Sequence, residues 1–416
     1  MRADRRPVQR RRVLLYSHDT YGLGHLRRNL RIAGHLLETD PSLRIVLMSG
    51  SPVSEKFPIP DRLRVVKLPP VTKVGPDCYR PLNRNLSIGE VSRARTTLMS
   101  SVVRHFRPDA LLVDHSPAGM HGELLGVFET VREHAPQTRL VLGLRDVLDE
   151  PAAVTRDWRA KGIYELIERV YDRVLVYGSQ DVFDIGQAYQ LPRSIRDRLM
   201  YCGYLHPDRA RPADVGSSSA ARIHREHVLA TAGGGGDGLQ VLVAAIEAGV
   251  MLGLPTVVVG GPLMDAEQFA VLRSLVHDHD SVELLRFHPD VQTAMAAARL
   301  IVTMGGYNTL TEAVASRTPT IVVPRRHPRL EQTIRAELFA RRGLVRAVEH
   351  GPDLGQRIAQ AAAAFPRAIG RAGALDFDGL SRLADILSTL IGSRDYRDPG
   401  PVAADSRIVT LARRPA

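Results

Sequence analysis

Residues 303–336, TMGGYNTLTEAVASRTPTIVVPRRHPRLEQTIRA, constrain the fold more than any other stretch. An apolar run at 300–304 meets a turn at Gly305 and Gly306. A helical pattern follows, with Glu312 in its second turn. A second apolar run, 320–323, stops at Pro324. A polar loop, 325–329, leads to Glu331 and Gln332, which open another helix. The order is strand, glycine turn, helix, strand, loop, helix. Short unbroken apolar runs of this kind suit strands buried on both faces of a parallel sheet. Such a unit sets backbone N–H groups and a carboxylate at the carboxyl ends of the strands, where open α/β sheets bind nucleotides.

The same alternation fills the chain in two series. In the first, strands are predicted at 13–17, 44–50, 63–68, 110–114, 139–144, 173–177 and 200–204. Helical patterns lie near 26–38, 87–106, 120–134 and 154–171. The polar stretch 206–225, with two prolines and a triple serine, reads as a linker. In the second series, strands at 228–232, 256–259, 282–287, 300–304, 320–323 and 344–347 alternate with helices near 240–252, 266–276, 308–315, 330–341 and 354–364. A last helix is predicted at 380–390. Two βαβ series predict an α/β protein of two doubly wound, Rossmann-like domains facing a cleft. The expected plan is a basic arm (1–12), an N-terminal domain (13–205), the linker, a C-terminal domain (226–376), a terminal helix (377–392) and a tail (393–416).

The 416 residues, 44% of them hydrophobic, leave each domain enough apolar side chains for a core. No apolar run of about 18 residues predicts a membrane-spanning helix, and no apolar leader is read at the start. Cys78 and Cys202 lack metal spacing, and a reduced cytoplasmic setting is expected rather than a disulfide framework. The net charge is +11, and residues 1–12 hold six Arg against one Asp. Such an arm can bind anionic lipid headgroups, or it can be a loosely ordered tail. No basic and aromatic stripe follows, so nucleic acid is not an expected partner.

Four places carry residues suited to chemistry. The first strand leads into HDTYGLGH, where Gly22 and Gly24 allow a tight loop over a helix N-terminus. Backbone there can approach an anionic or polyhydroxyl ligand. His25, in the first helical turn, can act as a base near neutral pH; the plainer reading is a turn with a capping His. Arg27 stands where G-x-G-x-x-G needs its third glycine, which argues against a dinucleotide cofactor. In TAGGGGDG, Gly233, Gly234, Gly235 and Gly236 lie between a strand and a helix and suit a phosphate cradle. The loop lacks a Gly-Lys-Ser/Thr ending, which argues against triphosphate hydrolysis. Asn308 and Glu312, one helical turn apart, can both face the strand ends. Glu312 can there accept both ribose hydroxyls, with Gly305 and Gly306 admitting a phosphate or base; as an ordinary helix residue it would be exposed. Asp114 ends the strand at 110–114, where it can be a general base, orient an acceptor hydroxyl, or cap a loop. The acidic pairs Asp278/Asp280 and Asp376/Asp378 adjoin helices rather than buried strands. They read as surface or capping acids, and no metal site is expected.

With GLGH near its start and GYNTLTE at 306–312, the chain resembles the two-domain GT-B glycosyltransferases over roughly 13–390. It looks closest to the MurG-like, family 28 type. The resemblance implies an acceptor-binding first domain, a donor-binding second domain, and a C-terminal helix that crosses back to the first. It implies hexosyl transfer from a nucleotide sugar, UDP by default, to an acceptor hydroxyl. Inversion, no essential metal and no permanently bound cofactor are expected with it. Gly22, Gly24 and His25 match the glycine-rich N-terminal loop. Gly233 to Gly236 match the loop that faces the nucleotide phosphates. Gly305, Gly306, Asn308, Thr309 and Glu312 match the segment whose Glu holds the donor ribose. Glu331 and Gln332 match the pair beside the donor sugar, with Glu331 in place of His and Arg335 in place of a later Asn. Arg325 is a candidate for charge on the diphosphate. His25 is the first candidate base and Asp114 the second. The acceptor could be a lipid, a glycan precursor or a small natural product. The basic arm and the apolar region 59–71 favour a membrane-associated acceptor, and with it a peripheral position at the inner face of the membrane. A UDP-sugar epimerase and a non-catalytic nucleotide-binding protein are the other readings.

Overall fold

The computed structural model describes residues 11–19, 23–75, 78–206, 226–288, 290–365 and 375–392. Gly22, the arm before Arg11, the linker beyond His206 and the tail beyond Gly392 lie outside the described residues. The chain divides into two compact units, Met1–Leu205 with Asp378–Ala416, and His206–Phe377.

The first unit runs β1 (Arg12–Ser17), α1 (Gly24–Thr39), β2 (Arg44–Ser49), β3 (Leu63–Lys67), β4 (Val71–Gly75), β5 (Cys78–Pro81), α2 (Ile88–Phe106) and β6 (Ala110–Asp114). It continues through α3 (Leu124–His134), β7 (Arg139–Arg145), α4 (Pro151–Ala160), α5 (Ile163–Val170), β8 (Arg173–Tyr177), α6 (Ile185–Ala188), α7 (Arg193–Arg196) and β9 (Leu199–Tyr201). Seven of these strands form one parallel sheet in the order β3-β2-β1-β6-β7-β8-β9. β1 lies inside it, beside the central β6, with Leu14 opposite Val46 on one side and Leu111 on the other. The apolar run of β6 is buried along its whole length, as a central strand with helices on both faces requires. Strand order reverses between β1 and β6, so the loops leaving their carboxyl ends diverge and open a crevice there.

Three local expectations are corrected. The helix predicted over 154–171 is two helices, because Gly162 sits at φ +63° and breaks the ladder between α4 and α5. β4 and β5 form an antiparallel hairpin that the apolar pattern did not disclose. The region 59–71 is not an apolar surface: Leu63, Leu68 and Val71 are buried in the first unit, and Ile59 alone among its large apolar residues is markedly exposed. Burial against the domain's own core accounts for that apolar stretch.

The second unit runs β10 (Val228–Thr231), α8 (Leu239–Met251), β11 (Thr256–Val259), α9 (Ala266–His277), β12 (Val282–Leu285), α10 (Val291–Ala297) and β13 (Leu300–Thr303). Then follow α11 (Tyr307–Ala315), β14 (Thr320–Val322), α12 (Glu331–Arg341), β15 (Arg346–Ala347) and α13 (Leu354–Ala363). Its sheet is also parallel, ordered β12-β11-β10-β13-β14-β15, with the reversal between β10 and β13. The strand expected over 344–347 shrinks to two residues, while Leu344 packs inward.

The last helix, α14 (Gly379–Gly392), belongs to the first unit. Leu380, Leu383, Leu387 and Leu390 are buried along one face, and α14 packs on α1. A bridge between Leu205 and Asp378 and a hydrogen bond from Arg382 Nη1 to the Cys202 carbonyl, 2.8 Å, pin its start. The helix thus crosses back as the resemblance implied. Among the described residues no helix is long and apolar enough to cross a membrane.

Candidate functional site

Each unit gathers several of its candidate residues at the point where strand order reverses. In the first unit, α1 brings His25, Arg28 and Asn29 to the end of β6, where Asp114 is buried. His25 Nδ1 lies 2.7 Å from Asp114 Oδ2. Arg28 Nε donates to Asp114 Oδ1 at 3.0 Å, and Nη2 lies 2.8 Å from both carboxylate oxygens. Asn29 Nδ2 donates to Asp114 Oδ2 at 3.2 Å and to the His25 carbonyl at 2.9 Å. Burial alone would raise the Asp114 carboxyl, but the Arg28 guanidinium and His25 outweigh it and hold the group ionised, below the usual carboxylate range. An ionised Asp114 can only accept, so its contact calls for a proton on His25 Nδ1 and leaves Nε2 as the basic nitrogen, while Arg28 Nη2, a donor, lies 2.8 Å from the same Nδ1 and opposes it. Burial, and then the charges of Arg28 and Arg145, lower the His25 imidazole despite the opposing pull of Asp114. His25 is therefore neutral at neutral pH and partly exposed, with its Nδ1–H form favoured by a buried carboxylate. Gly24, at the start of α1, is exposed.

Around His25 stand His18 and His115, with ring centroids 5.8 and 5.1 Å away. His115 holds φ +71°, an uncommon conformation outside glycine, directly after Asp114.

In the second unit, the loop after β10 is pressed against the loop after β11. A Cβ on Gly261 would lie 2.6 Å from the Gly234 backbone, and one on Gly235 would lie 2.3 Å from the Gly260 carbonyl. Gly233 and Gly235 have φ of +65° and +93°. The glycines are thus required by close backbone approach and left-handed conformation. A Cβ on Gly233 would meet Thr309 Oγ1 at 3.3 Å, so the glycine loop and α11 lie side by side. Gly305 turns at φ +83° against Val322, and Gly306 is the N-cap of α11. Asn308, Thr309 and Glu312 are buried, which removes the reading of Glu312 as an exposed helix residue.

The caps of the second unit's helices differ, and α12 and α13 begin without a side-chain cap. α9 and α10, away from the reversal, are capped by the Asp265 and Asp290 side chains. α8 and α11, at the reversal, begin from Gly238 and Gly306 with no side-chain cap. Neither helix start is closed by a side-chain cap, and the Asp237 carboxylate next to the α8 start is paired with Arg325.

Arg325 ties the remaining candidates together. Its Nη1 reaches Asp237 Oδ2 at 2.7 Å, its Nη2 reaches Glu331 Oε1 at 2.8 Å, and its backbone N–H donates to Gln332 Oε1 at 3.1 Å. Beneath them Arg335 is fully buried, donating to the Gly305 carbonyl at 3.2 Å under the Tyr307 ring. Among the described residues no cluster of His, Cys, Asp or Glu has the geometry of a metal cage.

Residues 256–365 match the model of the glycosyltransferase family 28 C-terminal domain. This stretch of the second unit is similar to that domain of family 28. The chain's two parallel sheets are the two Rossmann-like domains of the GT-B fold. Solved structures share that fold across both units of this chain. MurG of Acinetobacter baumannii is 13% identical, with 91% of this chain and 99% of that one covered and a TM-score of 0.53. Arabidopsis thaliana UGT89C1, solved with UDP, is 12% identical, covering 92% of this chain and 100% of that one, with a TM-score of 0.58. A putative UDP-N-acetylglucosamine 2-epimerase from Listeria monocytogenes is 12% identical, covering 94% and 98%, with a TM-score of 0.61. No curated protein matches the sequence.

Several residues of the first-unit site escaped the sequence reading. Arg28 and Asn29 follow His25 by three and four positions, so they share its helix face. That spacing was the available signal. The partners Tyr16, Arg95 and Glu123, from three separate elements, left no local signature.

Proposed function

We propose that this protein transfers a hexosyl group from a UDP-sugar to an acceptor hydroxyl, with inversion and without a metal. The carrying observation is the uncapped, glycine-lined reversal of the second unit, whose α11 and Glu312 fall inside the family 28 domain. The first turns of α8 and α11 suit the diphosphate, whose oxygens meet backbone N–H groups and the positive helix ends. Glu312 accepts from the ribose hydroxyls. Gln332 and Glu331 line the sugar end, and Arg325 holds them in register with Asp237. In the first unit, His25 Nε2 takes the acceptor hydroxyl's proton while the acceptor oxygen bonds to the anomeric carbon. The bond from that carbon to the diphosphate breaks, and UDP leaves with the electron pair. Asp114 orients the imidazole and offsets the charge it gains. UDP in a neighbouring GT-B structure supports the choice of nucleotide.

Isothermal titration of UDP into wild type and Glu312→Ala tests the donor side. Loss of two charge-assisted hydrogen bonds should weaken binding roughly ten- to hundredfold. No binding of UDP, GDP or dTDP to the wild type would sink the assignment. The likeness to a 2-epimerase fold motivates a second reading. Incubation with UDP-N-acetylglucosamine and no acceptor separates the two, since only an epimerase forms the C2 epimer.

A further inference from the structure

Arg325 joins the glycine loop to α12, and both partners of its guanidinium are carboxylates. Nη1 meets Asp237 Oδ2 at 2.7 Å, and Nη2 meets Glu331 Oε1 at 2.8 Å. The backbone beneath is fixed on both sides. The Arg325 N–H donates to Gln332 Oε1 at 3.1 Å, and its carbonyl accepts from Thr333 Oγ1 at 3.2 Å. The side chain therefore hangs from a rigid root. Its Nε is buried with no partner, so the pose is held at a cost.

One cation faces two anions here, and the surplus is negative. Asp237 directly precedes Gly238, from which α8 begins without a side-chain cap. Its carboxylate thus borders the helix start assigned above to the diphosphate. Like charges at that spot repel, so Asp237 and a phosphate compete for the same cation.

The two arms of Arg325 differ in strength. The Asp237 side chain is 36% exposed, and an ion pair so placed is screened and contributes little. The Glu331 side chain is 6% exposed, and taking Arg325 away would strip a buried carboxylate of a hydrogen-bonded countercharge. A more highly charged anion therefore breaks the Asp237 arm. Asp237 turns to water, Nη1 is freed for a phosphate oxygen, and Glu331 keeps the guanidinium aimed.

We propose that Asp237 is an internal competitor for the donor's diphosphate. Its carboxylate holds Arg325 Nη1 between turnovers and yields it to a phosphate oxygen when a nucleoside diphosphate group binds. After transfer, the same carboxylate takes Arg325 back and favours release of the diphosphate product. Asp237 is thereby a specificity-determining residue: a ligand without phosphate at this position cannot displace it and gains nothing from Arg325. The proposal rests on the donor-site reading above.

The test is titration calorimetry of UDP, inorganic pyrophosphate and uridine into the full chain, as wild type, Asp237→Asn, Arg325→Ala and the double variant. Removing a competitor strengthens binding. Asp237→Asn should tighten UDP and pyrophosphate roughly three- to tenfold, the worth of an exposed charge pair plus the relieved repulsion, with uridine unchanged. Salt at about 1 M should erase most of that gain. In the Arg325→Ala background the same substitution should gain less, because the contested guanidinium is gone. Were Asp237 a prop for Arg325 instead, Asp237→Asn would weaken UDP. That sign overturns the proposal, and so does an unchanged affinity. Asp237 is exposed and Asn keeps its shape, so the variant is expected to fold. Pyrophosphate separates the two readings. A wild type that binds pyrophosphate but no UDP, GDP or dTDP defeats the nucleotide assignment, while the sign of the Asp237→Asn effect on pyrophosphate still decides the competition. A wild type that binds none of them defeats both.

Discussion

Asp114 is buried and surrounded by donors, with Arg28, His25 and Asn29 all within 3.2 Å. An anion held this firmly is suited to orienting a partner and poorly suited to accepting a proton, so in the proposed transferase His25 is the base and Asp114 the orienter. His25→Ala should lower kcat by about 10²–10⁴ with UDP affinity unchanged, the usual worth of a positioned base; equal turnover would move the role elsewhere. Because His25 lies below its ordinary range, the acid limb of kcat/KM should fall below pH 6.5. The same shifts carry a stability consequence. Both groups have folded pKa values below their unfolded ones, so the unfolded chain binds more protons in those windows. The first unit should lose stability as pH falls from about 6.5, through His25, and again below about 3.8, through Asp114. Chemical denaturation across pH would show it, and flat stability would contradict the assignment. At this scale the sequence disclosed residue types but not partners. Glu312 and Asp114 each had a plain surface or capping reading, and only tertiary burial decides against it.

Among the elements, the glycine loops do two things. They let backbone approach a ligand, and they let the loops after β10 and β11 pack backbone to backbone. Gly261→Ala brings a methyl to 2.6 Å from Gly234 at φ +101°, so something must move. Overpacking and strain together should cost about 1–3 kcal/mol. UDP affinity should fall too, although Gly261 lies outside the predicted phosphate loop. A stability within 0.5 kcal/mol of wild type, by urea unfolding, would show that the loops separate freely. The parallel strands were legible because an apolar run without alternation admits few other placements. The hairpin β4–β5 was not, since its residues carry no clean period, and the α4–α5 break turned on one glycine's φ. The α8 and α11 starts were legible as glycine turns, whereas their contrast with the Asp-capped α9 and α10 needed strand order.

For the whole molecule, the first unit is discontinuous: its sheet is complete by Leu205, yet α14 returns to cover α1. Leu387→Ala removes a fully buried side chain from that seam. It should destabilise the first unit by about 2–5 kcal/mol. Calorimetry resolving the two units should show one transition shifted and the other unmoved; a uniform shift would mean they unfold as one. The two βαβ series predicted two domains because each series closes a sheet of its own. That the last helix belongs with the first series could not be read from its leucine spacing, which fits any apolar face equally well; the resemblance supplied that expectation.

The order of synthesis gives this return a further meaning. A ribosome adds roughly 5–20 residues per second, so the second unit is made in full while the first still awaits its closing helix. For that interval the seam on α1 is an open apolar strip on a nascent chain. A pause or premature stop after Phe377 would release a protein with its second unit whole and its first unit still sticky, the kind of product that chaperones and proteases select.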